Sequence, residues 1–130
     1  MEKRSVHILF LLPLLLINPS VCEIQSVGAK GKLQCGRHPA RGVLVAIYEH
    51  DAISADDKLS ETTTDANGWF ELFGSEDESG DTEPYLYITH SCGGSKKNIK
   101  IEIHGKYISK GSYSPHEYFN VGIRNIEGGN

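Results

Sequence analysis

The stretch Asn98-Ile99-Lys100-Ile101-Glu102-Ile103-His104 places isoleucine at every second position, with charged or polar residues between. Side chains alternate across a strand, so this run predicts a β-strand with one packed face and one wet face. The same period of two recurs to either side of it. Residues 85–92 set Leu86, Ile88, His90 and Cys92 against Tyr85, Tyr87 and Thr89, and residues 69–74 set Phe70 and Leu72 against Trp69, Glu71 and Phe73. In residues 43–50, Val43, Val45 and Ile47 share one face while Leu44, Ala46 and Tyr48 share the other, which predicts cover on both.

Residues 27–35, 59–64 and 118–126 complete the series. Turn chemistry separates them: residues 37–42 carry Pro39 and Gly42, Asp65-Ala66-Asn67-Gly68 reads as a tight turn, and residues 75–83 read as an acidic loop. No stretch of ten or more residues carries a helical stripe. The expectation is an all-β, two-layer antiparallel β-sandwich of seven or eight strands. Leu33, Phe70 and Leu72 should face its core.

At the start of the chain, Lys3 and Arg4 precede the apolar residues 8–17, and Asn18, Pro19 and Ser20 follow. That order predicts a secretory signal peptide over residues 1–22, with the folded domain over residues 23–130. The apolar run includes Pro13 and is far shorter than the roughly 20 residues a membrane span needs. The small side chains of Ser20 and Cys22 place cleavage after Cys22, whereas cleavage two residues earlier would keep Cys22. The domain would then hold 108 residues with a formal charge of −5, enough for one core.

Nucleic acid is not an expected partner of so acidic a chain. The short basic group Lys96, Lys97 and Lys100 reads better as a solvated strand and loop surface than as an anion site. Three cysteines are present, and if Cys22 leaves with the signal, Cys35 and Cys92 remain as a pair in an oxidising compartment. A disulfide is their default outcome. It would close a loop of 58 residues and contribute about 4 kcal/mol.

The spaced residues Gly31-x-Leu33-x-Cys35 and Pro39-x-x-Gly42-Val43-x-Val45-x-Ile47-Tyr48-Glu49-x-Asp51 resemble the nematode transthyretin-like family. The likeness continues through Asp57-x-Leu59, Thr64-Asp65-x-x-Gly68-x-Phe70-x-Leu72-x-Gly74-Ser75-x-x-Glu78 and Pro84-Tyr85-Leu86-x-Ile88-x-His90-x-Cys92, and spans about residues 28–126. It implies a secreted transthyretin-like sandwich with Cys35 and Cys92 paired. Gly93 departs from the pattern, in which a polar residue follows the cysteine. Gly68 and Gly74 are read as serving backbone conformation at a turn and at a strand end.

Enzymatic relatives of transthyretin hydrolyse 5-hydroxyisourate with His and Arg residues and a C-terminal Tyr-Arg-Gly-Ser, but this chain ends Arg124-Asn125-Ile126-Glu127-Gly128-Gly129-Asn130. Its histidines are scattered, and no Gly-x-Ser-x-Gly elbow or phosphate loop is present. No catalysis, cofactor or metal is therefore expected. His90 is read as a buried histidine bonded to backbone or to an acid. The expected function is that of a secreted binding module for an extracellular protein or lipid; the alternatives are an oligomeric carrier of small hydrophobic ligands and a diverged hydroxyisourate-type hydrolase. Candidate surfaces are the acidic run Glu76, Asp77, Glu78, Asp81 and Glu83, and an aromatic patch of Tyr48, Trp69, Tyr85 and Tyr87. The acidic run reads better as solvated than as a cation site.

Overall fold

The computed structural model describes residues 23–78, 80 and 82–128. The expected signal peptide and Asp81 lie outside that range. Among these residues nine strands follow in order: β1 (Glu23–Cys35), β2 (His38–Pro39), β3 (Leu44–Glu49), β4 (Asp57–Thr63), β5 (Trp69–Glu78), β6 (Pro84–His90), β7 (Lys97–Glu102), β8 (Ser109–Lys110) and β9 (Phe119–Asn125). Two are mere two-residue bridges, so the seven long strands match the seven apolar alternations. A 3-10 turn, Gly105–Tyr107, is the one helical element among the described residues.

The strands form a five-stranded sheet, in which β1 pairs with β2, β5, β8 and β9, and a four-stranded sheet ordered β4-β3-β6-β7. Every pairing is antiparallel except β1 with β9. The parallel exception follows from the chain path. Residues 103–118 cross from the end of β7 to the other sheet, and a crossover of that length lets β9 enter beside β1 in the same direction.

Between the layers, Leu33, Val45, Ile47, Leu86 and Ile88 are completely buried, joined by Val27, Ala29, Phe70, Leu72, Ile99, Ile103 and Ile126. These are the inward positions of the alternations, and the isoleucines of β7 fulfil their expected role with Ile101 only partly covered. The second face of β3 is covered unevenly, with Ala46 buried and Leu44 exposed.

Two expectations need correction. Residues 75–78 are strand rather than acidic loop, because β1 begins at Glu23 and its first residues pair with the end of β5, Gln25 opposite Glu76 and Ser26 opposite Ser75. Backbone pairing is indifferent to polar composition, so a polar segment with a partner strand extends the ladder. Gly74 is accordingly not at a strand end, and its φ is not positive. It provides room: a Cβ there would stand 2.5 Å from the Leu59 carbonyl oxygen of β4, where the two sheets close together. Gly68 meets its expectation, with φ of 86° in a turn whose Asp65 carboxylate accepts the backbone N–H groups of Asn67 and Trp69, each at 2.9 Å.

Candidate functional site

Cys35 ends β1 in one sheet, and Cys92 follows β6 in the other. They form a disulfide with Cα atoms 5.7 Å apart, so the bond clamps the two layers at one end of the sandwich. Two residues before Cys92, His90 is 4% exposed, and its Nδ1 accepts the Cys92 backbone N–H at 3.1 Å. That is the backbone-bonded histidine expected from sequence. With Nδ1 accepting, the neutral ring carries its proton on Nε2.

Burial, with Lys97 nearby, pushes the His90 pKa below its ordinary value of 6.5. The unfolded chain therefore binds more protons than the folded one once the pH falls below about 6.5, and stability declines with acidification through that window. Denaturation midpoints at pH 7.5 and pH 5 are expected to fall for the native sequence and to fall less for His90→Gln. Equal falls in the two proteins would assign the dependence to other groups.

The outer face of the four-stranded sheet holds three of the four aromatics expected as a patch. Tyr48 stacks on Tyr85 with ring centroids 5.7 Å apart, and Tyr87 meets both edge-on at 5.8 and 6.3 Å. Lys100 places its Nζ 4.3 Å from the Tyr85 centroid. The Tyr85 hydroxyl donates to Asp56, which also lies 3.4 Å from His50 Nδ1. Burial and the adjoining carboxylate push the Tyr85 pKa to about 12, and the hydroxyl's hydrogen bond holds Asp56 below the usual range. This cluster consumes its own polar groups, and Tyr85 is only 8% exposed.

Trp69 does not belong to that patch. It lies on the opposite outer face, across the five-stranded sheet, because it pairs with Lys32 of β1. Lys32 also pairs with Ile123 of β9, so Trp69, Lys32 and Ile123 form one outward row across three strands. The next row is Glu71, Lys30 and Asn120. Beyond it Phe73 stands opposite Gly28, where the Tyr118 ring lies so close that a Cβ on Gly28 would come within 2.7 Å of it. Phe73 and Tyr118 meet edge-on at 6.5 Å. Trp69, Phe73 and Ile123 remain 50%, 46% and 66% exposed.

A sequence profile of the transthyretin-like family matches residues 30–106, from the middle of β1 to the 3-10 turn. The chain belongs to the transthyretin-like family. Transthyretin-like protein 5 of Caenorhabditis elegans is 38% identical over 109 residues, which cover 80% of this chain and 78% of that one. Transthyretin-like protein 16 of the same nematode is 41% identical over 66% of this chain and 64% of its own. Transthyretin-like protein 1 is 30% identical over 92% of this chain and 83% of its own.

In this transthyretin-like protein the acidic run is dispersed. Asp77 and Glu83 are exposed, while Glu76 turns toward Glu49 and Asp57, the three side chains bringing one oxygen each within 4.8 Å of one another. Glu49 is buried, a feature no sequence pattern signalled, since it occupies the final position of β3 beside two neighbouring strands. Among the described residues no histidine or cysteine joins the trio. A cleft of about 500 Å³ beside Tyr85 is lined by His50, Glu83, Lys100 and Glu102. His50 has an acid to orient it, but among the described residues no hydroxyl or thiol pairs with it. Phe73, Tyr118 and Ile123 escaped the sequence reading because only the cross-strand register puts them beside Trp69.

Proposed function

We propose that this protein is a secreted, non-catalytic binding module that recognises an extracellular protein through the outer face of its five-stranded sheet. The observation that carries the reading is the exposed cluster of Trp69, Phe73 and Ile123, interleaved with Lys30 and Lys32 on three adjacent strands. Large exposed apolar groups gathered on one rigid face mark interaction surfaces, and aromatic anchors carry most of the energy of such contacts. The opposite face offers less, because its tyrosines are packed on one another. The signal peptide expected over residues 1–22 and the disulfide support an extracellular setting.

An oligomeric carrier would pair sandwiches through sheet edges. The outer strands of the four-stranded sheet carry Asp57, Lys58 and Glu61 on β4 and Lys97, Lys100 and Glu102 on β7, with Lys58 and Glu61 ion-paired at 2.8 Å. Charged edges disfavour that association. Light scattering on the secreted domain is expected to give the mass of a monomer.

The test uses the secreted, oxidised domain as bait in extracellular fluid, beside Trp69→Ala and Phe73→Ala. Each variant is expected to weaken the captured complex about 30-fold, corresponding to roughly 2 kcal/mol, with little change in its own melting temperature. Trp69 is the single tryptophan of the chain, so its emission reports on this face directly. A blue shift on lipid vesicles with no protein capture would replace the protein reading with a lipid one, and capture indifferent to both substitutions would exclude this face.

A further inference from the structure

A cleft of about 430 Å³ opens at the disulfide end of the sandwich, away from the face just described. One wall is the connection between β2 and β3, with Ala40, Arg41 and Val43; the other is the turn after β6, with Ser91, Cys92 and Lys96. Thr64 holds the first wall, its hydroxyl donating to the Ala40 carbonyl and accepting the Val43 N–H at 2.9 Å. The disulfide ties the end of β1 to the second wall at Cys92. The chain as a whole is acidic, with a formal charge of −4, yet among the described residues no acidic side chain lines this cleft. Arg41 and Lys96 both line it, and neither has an ion-pair partner among the described residues.

His90 supplies an independent observation. It lines the cleft, its Nδ1 is spent on Cys92, and its Nε2 is buried with no hydrogen-bond partner. The tautomer fixed by Nδ1 makes Nε2 a donor, and a buried donor without an acceptor is uncommon in folded proteins. Arg41, Lys96 and His90 thus border one cleft, and His90 Nε2 has no acceptor there among the described residues. Beside them Ala40, Val43 and Ile126 form an apolar wall.

We propose that this cleft binds a small organic carboxylate. The planar guanidinium of Arg41 matches the two oxygens of a carboxylate, Lys96 adds charge, and the imidazole N–H gives one further directional bond. The apolar wall receives the carbon body, which an inorganic anion lacks. Nε2 is itself buried, so engagement includes a local shift of residues 91–96. Gly93 and Gly94 in that turn have positive φ and no packed neighbour on the Cβ side, which leaves it free to adjust.

The experiment is an NMR titration of the ¹⁵N-labelled, oxidised domain with sodium octanoate, 1-octanol and inorganic phosphate in turn. Octanoate is expected to move the amides of residues 89–96 and 41–43 and the His90 ring nitrogens, with octanol and phosphate each binding at least 10-fold more weakly. Arg41→Gln and Lys96→Gln alter exposed side chains, so both variants should fold, and each is expected to weaken octanoate at least 5-fold. Phosphate binding as tight as octanoate would overturn the carboxylate assignment. So would octanol binding equally well, shifts centred elsewhere, or an affinity unmoved by both variants. Because Trp69 lies outside the cleft, Trp69→Ala should bind octanoate normally, which separates failure here from failure of the sheet-face reading.

Discussion

Replacing Cys35 and Cys92 together by serine is expected to lower the unfolding free energy by about 4 kcal/mol, within a range of roughly 2–5 kcal/mol. The two cysteines are 57 positions apart in the chain, so the bond removes many conformations from the unfolded ensemble. It also fastens the end of β1 to the end of β6, which lie in different sheets and share no backbone ladder. For a domain with only about 5–15 kcal/mol of stability, that is a large fraction. In urea, the double variant should unfold at a clearly lower midpoint with a similar or steeper slope, and reduction of the native protein should reproduce the effect. A loss below 1 kcal/mol would mean that packing between the sheets, and not the crosslink, holds this end closed.

Leu86→Ala should be of similar size, at about 2–5 kcal/mol. Leu86 is fully buried in β6, an interior strand that pairs with both β3 and β7, so neither neighbour can collapse into the space left behind. The cost combines lost transfer energy with an unfilled cavity. Leu44→Ala is the control: it lies on the neighbouring strand, but its side chain is partly exposed and should cost much less. Thermal unfolding of the two variants side by side would check the contrast, and equal losses would contradict the assignment of the core.

How far the sequence could be read depended on what each signal encoded. Ile99, Ile103, Phe70 and Leu72 announced their faces because strand side chains alternate and these residues have little other use. Residues 75–78 misled for the complementary reason, since their acidic composition suggested a loop and their partner, Glu23 to Ser26, was itself too polar to be noticed. The four aromatics could be assigned to outward faces but not to the same face. Tyr48, Tyr85 and Tyr87 came together through the β3–β6 register, and Trp69 was carried to the other sheet. Arg41 and Lys96 are 55 positions apart, and no local pattern connects them.

Local signals were enough for the existence of the seven long strands, the inward residues of the core, the turn at Asp65 to Gly68 and the identity of the paired cysteines, because each is written in periodicity, turn chemistry or a small count of reactive side chains. The parallel docking of β9 on β1, the exposed row of Trp69, Lys32 and Ile123, and the cationic cleft beside His90 arise from the assembled sandwich. Those features depend on which strands become neighbours and in what register, and that choice is made by the packing of two whole sheets against each other.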